Sequence, residues 1–264
     1  WTADAAAGSA ADLARMGIGT DTGYYAARGL LYDLTRMIRA SAIVRLADID
    51  RAASAAYRFD GKDFGRGPWY GLAQGGNNMG CITYNRDMFR AAGIAFPSET
   101  RPLAYNDELY ALAKKLTRRD STGRVPVGGN DGPAPWVQFL VSDMATSLGI
   151  GFYGDAARSV LSDDPRLKEL WKYWARFPVE DISSNPRNPN PGWQGSAFQS
   201  DRVAIAQLGY WFGAQLASDK GSTEKYGWAP TPVVRQGARR VTNTLGATGV
   251  VMYAGTAVPR QAFR

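Results

Sequence analysis

The sequence predicts an α/β protein, and three observations lead there. Residues 107–117 and 165–177 repeat apolar side chains at helical spacing, whereas 81–84 and 249–253 are short apolar runs of strand length. The two patterns interleave along the chain, which argues for layers of helix on sheet. The 264 residues, 45% of them apolar, suffice for one large core or two smaller ones.

The elements follow in order. Residues 28–39 place Leu30, Leu31, Leu34 and Ile38 on one side of a helix. Residues 68–84 open with a short apolar run, bend through Gly75-Gly76-Asn77-Asn78, and resume as a strand from Cys81 to Tyr84. A short helix over 86–92 is stopped by Gly93. The helix over 107–117 takes Asn106 as its N-cap and buries Leu109, Leu112, Ala113 and Leu116. Asp120-Ser121-Thr122-Gly123 is a turn. Residues 136–148 are helical in pattern. The helix over 165–177 is capped by Asp164 and opened by Pro165, with Leu167, Leu170, Trp171 and Trp174 on one face. A Pro/Asn/Gly loop covers 183–197, a helix is expected over 198–208 ending at Gly209, and strands over 227–230 and 249–253.

Composition removes whole classes of function. Histidine is absent, which excludes Ser-His-Asp and Cys-His catalysis, histidine bases and histidine metal sites. Cys81 is the one cysteine, so there is no disulfide framework and no thiolate metal site. No cofactor is expected. The net charge of +7 is scattered in short groups such as Lys114-Lys115 and Arg239-Arg240, without a basic run, so nucleic acid is not an expected partner. No apolar run approaches the roughly 18 residues of a membrane span. The 8 Trp and 13 Tyr are the unusual feature: each pairs an apolar face with a polar tip and suits stacking on a ligand as well as core packing.

Three motifs carry less than they first offer. Gly149–Gly154 matches G-x-G-x-x-G, but a helix pattern precedes it where a dinucleotide site requires a strand. Asp48-Ile49-Asp50 begins like a calcium loop, but Ala52 and the missing glycine exclude an EF-hand. Asp131, Asp143, Asp155 and Asp201 supply carboxylates for a histidine-free carbohydrate-active enzyme, which stays open as an alternative.

A set of short segments occurs in one order along the chain. These are Gly8–Leu13 near the start, Trp69-Tyr70-Gly71-Leu72-Ala73, and Tyr84-Asn85-Arg86-Asp87-Met88-Phe89-Arg90-Ala91-Ala92-Gly93. Then come Asn106–Thr117 with the turn after it, Phe198–Ile205, Gly209-Tyr210-Trp211 and Tyr226–Pro232. In this order they resemble the family 1 extracellular solute-binding proteins, the maltose-binding-protein-like sugar receptors of ABC importers. Ala11 and Ala73 stand where the family has proline, and Asp201 where it has glycine. Members are longer at both ends, so the chain is expected to be truncated at both.

The resemblance implies a two-lobed, type II periplasmic-binding-protein-like α/β fold. Residues 1–74 would form part of the N-terminal lobe, 75–245 the C-terminal lobe and 246–264 the return segment, with Gly246 and Gly249 taking up hinge torsion. It implies a receptor, not an enzyme, that binds a carbohydrate between the lobes and delivers it to the ABC transporter permease. The protein would act outside the cytoplasm, in the periplasm or lipid-anchored, as a monomer at full length. A sugar phosphate, polyol or polyamine is the alternative ligand. The expected ligand residues are Trp211, Trp136 and Trp193 as stacking platforms and Gln74, Asn77 and Asn78 as hydroxyl partners. Trp171 and Trp174 are assigned to the core, and Tyr84 and Asn85 to the structural end of a strand.

Overall fold

The computed structural model describes residues 2–16, 21–77, 81–131, 137–151, 153–154, 159–160, 163–190, 192–238 and 246–264. The chain divides into two compact units, Trp1–Asn77 with Thr244–Arg264, and Asn78–Asn243.

The first unit begins with α1 (Thr2–Ala6), β1 (Leu13–Met16), α2 (Asp21–Ala26), α3 (Thr35–Ala40) and α4 (Arg51–Ala55). It continues through β2 (Arg58–Phe59), β3 (Phe64–Trp69) and β4 (Gly71–Asn77). The helix expected over 28–39 is confined to α3. Gly29 turns the chain at φ +67°, Leu31 is bridged to Tyr253, and the Asp33 carboxylate accepts the Thr35 N–H at 2.8 Å to open α3. Leu31, Leu34 and Ile38 are nonetheless buried. The bend expected at Gly75-Gly76-Asn77 is strand: these residues continue β4.

The second unit opens with β5 (Cys81–Asn85), α5 (Arg86–Ala91), α6 (Tyr110–Leu116) and β6 (Gly128–Asp131). Next come α7 (Val137–Ser147), the short pair β7 (Tyr153–Gly154) and β8 (Ser159–Val160), and α8 (Pro165–Val179). It closes with α9 (Gln194–Gln199), β9 (Val203–Leu208), α10 (Trp211–Leu216), α11 (Ser222–Lys225) and β10 (Tyr226–Ala229). The chain then completes the first unit with β11 (Gly246–Met252) and α12 (Pro259–Phe263).

In the first unit β1 and β4 flank β11, both antiparallel to it. Tyr57, fully buried, donates its hydroxyl to Ala247 O at 2.7 Å and packs with Met16, Leu31 and Val251. A side chain on Gly249 would fall 2.5 Å from Leu72 O and from the Tyr57 ring, so close packing already requires glycine there.

In the second unit the sheet order is β10-β5-β9-β6. β10 and β9 are both antiparallel to β5, and β6 is parallel to β9. The main core joins Ile82, Phe89, Leu109, Trp174, Phe177 and Ile205. A smaller one joins Phe198, Leu208, Phe212 and Tyr226.

The helix expected over 198–208 is contradicted. Helix α9 ends at Gln199, Asp201 takes φ +59°, and residues 203–208 are a wholly buried strand. A continuous apolar run of six cannot distinguish strand from buried helix by periodicity. Asp201 shows why the related motif carries glycine: the position is left-handed, which Asp tolerates better than most residues. The loop expected over 183–197 stops at Trp193, where α9 begins.

The helix expected from 107 starts at Tyr105 with a wide π turn to Leu109. Asn106 does not cap it but accepts a hydrogen bond from Arg176 Nη2 at 2.8 Å, while Glu108 Oε2 accepts the Ala104 N–H at 2.6 Å. In α8, Leu167, Leu170 and Trp174 are buried but Trp171 is 40% exposed. The buried stripe centres between Leu170 and Phe177, which puts Trp171 roughly 100° around the axis from it.

Candidate functional site

Strand direction decides what lies together in the second unit. β6, β9 and β10 run the same way, so the segments leaving their carboxyl ends emerge along one edge of the sheet. That edge carries Asp131 at the end of β6, Tyr210 and Trp211 just after β9, and Trp228, Ala229 and Pro230 at the end of β10. Carboxyl edges are where α/β sheets place ligands, because the loops there are free to vary while the strands fix their bases.

Trp211 opens α10 and Trp193 is the N-cap residue of α9. Their rings stack with centroids 5.9 Å apart and an interplanar angle of 20°. Buried Phe212 presents an edge to Trp193 at 5.6 Å and supports the pair from below. Trp193 lies so close over α9 that a side chain on Gly195 would meet its ring at 2.2 Å. The two indoles are thus fixed in place, yet stay 39% and 40% exposed. A rigid, exposed pair of apolar ring faces is what a sugar's C–H face needs.

Beside them, Tyr210 is 60% exposed and stacks on Trp228 at 6.1 Å and 28°. This second pair borders a depression of about 360 Å³ that Arg86, Glu99, Ala229 and Pro230 also line. Sequence reasoning treated Tyr210 and Trp228 only as parts of longer motifs. Their pairing follows from the parallel course of β9 and β10, which no local pattern announces.

Asp131 is 3% exposed. Its Oδ1 accepts the Ser184 hydroxyl at 2.9 Å, and its Oδ2 accepts the Asn190 amide. Burial outweighs these two donors and raises its pKa from 3.8 to about 6. Asn190 lies in the loop that leads to Trp193, so this network ties the loop to the end of β6.

The expected ligand residues divide as follows. Trp193 and Trp211 are brought together. Gln74 is exposed on β4, and Asn77 ends that strand opposite Gly246, both in the first unit. Trp136 and Asn78 lie outside the described residues. Tyr84 and Asn85 are buried, and Asn85 Oδ1 caps α5 by accepting the N–H groups of Asp87 and Met88 at 3.0 and 3.2 Å. Of the carboxylates considered for catalysis, Asp201 precedes β9 and so lies at the opposite edge from Asp131. It is engaged by Asn85 Nδ2 at 2.7 Å and by Lys225. Asp143 is buried and Asp155 lies outside the described residues. Gly149 of the glycine motif follows α7 at φ +68°, a helix-ending position.

A family model described as bacterial extracellular solute-binding protein matches residues 1–264. Among solved structures, an ABC substrate-binding protein from Listeria monocytogenes in complex with cycloalternan is 21% identical with a TM-score of 0.78. The match covers 99% of this chain and 62% of that one. A solute-binding protein from Thermotoga lettingae bound with α-D-tagatose is 19% identical, with TM-score 0.74 and coverages of 99% and 63%. One from Agrobacterium radiobacter in complex with ribitol is 21% identical, with TM-score 0.73 and the same coverages. The chain therefore spans a little over three fifths of the length of these proteins, and the likeness bears out the α/β solute-binding fold. No curated protein matches the chain.

Proposed function

The chain belongs to the bacterial extracellular solute-binding proteins, and we propose that it is the carbohydrate-binding part of an ABC importer's receptor. The observation that carries this reading is the exposed, supported Trp193/Trp211 stack at the carboxyl edge of the second unit's sheet. An indole face turned to solvent in that position offers a platform for a sugar or sugar alcohol. Asp131, through its fixed carboxylate, offers an acceptor for a hydroxyl. Gln74, Asn77, Asn78 and Trp136 complete the proposed contact set. The similar proteins hold cycloalternan, tagatose and ribitol, all polyhydroxylated and uncharged, which agrees with aromatic and amide contacts.

Binding is reversible, and no bond in the ligand is made or broken. The protein works outside the cytoplasmic membrane, free in the periplasm or lipid-anchored, and hands its ligand to the permease.

The test is a thermal-shift screen against mono- and oligosaccharides, polyols, sugar phosphates and polyamines. A ligand that binds only the folded state raises the melting temperature by mass action. The reading expects a sugar or polyol to do so. It expects Trp211→Ala to weaken that ligand by about 2 kcal/mol, roughly thirtyfold in Kd. A shift confined to polyamines or sugar phosphates would overturn the ligand class. Turnover of a bound oligosaccharide, lost in Asp131→Asn, would replace the receptor by an enzyme.

A further inference from the structure

The first unit carries a pocket that the carbohydrate reading leaves without a task. It encloses about 650 Å³, within the roughly 300–1,000 Å³ usual for small-molecule sites. Its walls are Leu46, Ala47, Ile49, Ala55 and the Trp69 ring, and its polar residues are Arg51, Ser54 and Arg58. No carboxylate lines it among the described residues.

Arg51 and Ser54 are three apart on α4, one helical turn, and Arg58 reaches the same pocket from β2. Arg58 is held in place: its Nε and Nη2 both donate to Gly67 O at 3.2 Å, and its guanidinium lies 5.3 Å from the Trp69 ring centre. The Trp69 backbone is itself tied down, its main-chain N–H donating to Thr35 Oγ1 at 3.0 Å. Arg51 is exposed and has no side-chain partner among the described residues. The nearby acids are engaged elsewhere: Asp48 pairs with Arg45 at 2.7 Å, and Asp50 accepts the Ala53 N–H at 2.8 Å.

The Ser54 hydroxyl is covered by the protein and has no hydrogen-bond partner among the described residues, so it lies behind the pocket wall and not in it. What the pocket presents to a ligand is two guanidinium groups beside apolar walls and an indole, with no carboxylate among the described lining residues. Two like charges facing one cavity lack a counter-charge, which an anionic oxygen would supply.

We propose that this pocket binds a small organic oxyanion, a carboxylate or phosphate carried on a compact apolar body. The anion accepts from Arg51 and Arg58. The apolar body lies against Trp69, Leu46 and Ile49. A neutral saccharide would leave both arginines without counter-charge, so this site is separate from the Trp193/Trp211 platform and does not depend on what that platform binds.

The test is calorimetric titration of the whole chain with benzoate, phenyl phosphate and neutral benzyl alcohol. One or both anions should bind at one site at least about tenfold more tightly than the alcohol, since hydrogen bonds to a charged group are the strong ones. A preference for benzoate assigns a carboxylate, and the reverse a phosphate. Arg51→Gln, which removes no contact within the protein, should weaken the anion about tenfold. The proposal is overturned if benzyl alcohol binds as well as the anions. It is equally overturned if Arg51→Gln leaves anion affinity unchanged, or if neither anion binds at about 10 mM.

Discussion

Asp131→Asn should make the protein more stable at neutral pH and remove part of its pH dependence. The carboxyl is 3% exposed, and burial raises its pKa from 3.8 to about 6. Between those values the folded protein retains a proton that the unfolded chain has released. Stability therefore falls as pH rises across this interval and levels off above it. A shift of about two units at 1.36 kcal/mol each gives about 3 kcal/mol in all, of which roughly 2 kcal/mol is lost between pH 4 and pH 7. Asparagine has nearly the same shape, carries no charge, and keeps a carbonyl oxygen for the Asn190 amide, while the Ser184 hydroxyl is free to turn. Urea unfolding at pH 4, 5, 6 and 7.5, followed by circular dichroism, should find the variant close to the parent at pH 4. At pH 7.5 it should be about 1–3 kcal/mol more stable, the lower figure allowing for one weakened hydrogen bond. Parallel curves for the two proteins, or a variant less stable at pH 7.5, would refute the reasoning. The same substitution should lower sugar affinity about tenfold at pH 7.5, because a carboxylate accepts from a hydroxyl more strongly than an amide does.

Other substitutions separate scaffold from site. Asn85→Ala removes a cap accepting two N–H groups and a bond donated to Asp201. It should cost about 2–4 kcal/mol in urea unfolding, with sugar affinity per folded molecule unchanged. Cys81 is fully buried, donates to Leu208 O at 3.1 Å, and has its thiol pKa pushed up to about 12 by burial. It should resist a disulfide reagent at pH 8 and react promptly once the protein is unfolded in urea, since the thiolate is the reactive form. Gly129→Ala would put a methyl 1.7 Å from the backbone oxygen of Ala113, so β6 and α6 cannot both keep their places. Expression of soluble protein should fall sharply, a loss of about 3 kcal/mol or more.

Much of the scaffold was legible because it rests on local chemistry. Gly93 at φ +65° ends α5, and Gly123 at φ +81° closes the turn that Asp120 stabilises. The Asp164 side chain accepts the Arg166 N–H and Pro165 follows it into α8, as the sequence indicated. What was misread depends on distant partners. Leu30 and Leu31 keep helical spacing with Ile38, but the backbone of Leu31 is taken by Tyr253, more than two hundred residues away. Asn106 has the right chemistry for a cap, yet its oxygen is claimed by Arg176 from α8.

The misreading of residues 198–208 also limited the view of the site. As a helix, that segment would make Trp211 the exit of one helix and leave its surroundings undefined. As β9, it runs parallel to β6 and to β10, and that direction alone brings four features to one edge: the Asp131 network, the Trp193/Trp211 stack, Tyr210 and Trp228. The individual tryptophans were visible in the sequence because aromatic residues after a glycine exit are conspicuous. Their grouping was not, because it depends on which strands are neighbours and which way they run. The residue that corrects the reading is Asp201. Its left-handed backbone turns the chain out of α9 and into the sheet, and its carboxylate binds Asn85 at the far edge of the neighbouring strand. One acidic side chain thus fixes the start of β9, and through the length of that strand the position of Trp211.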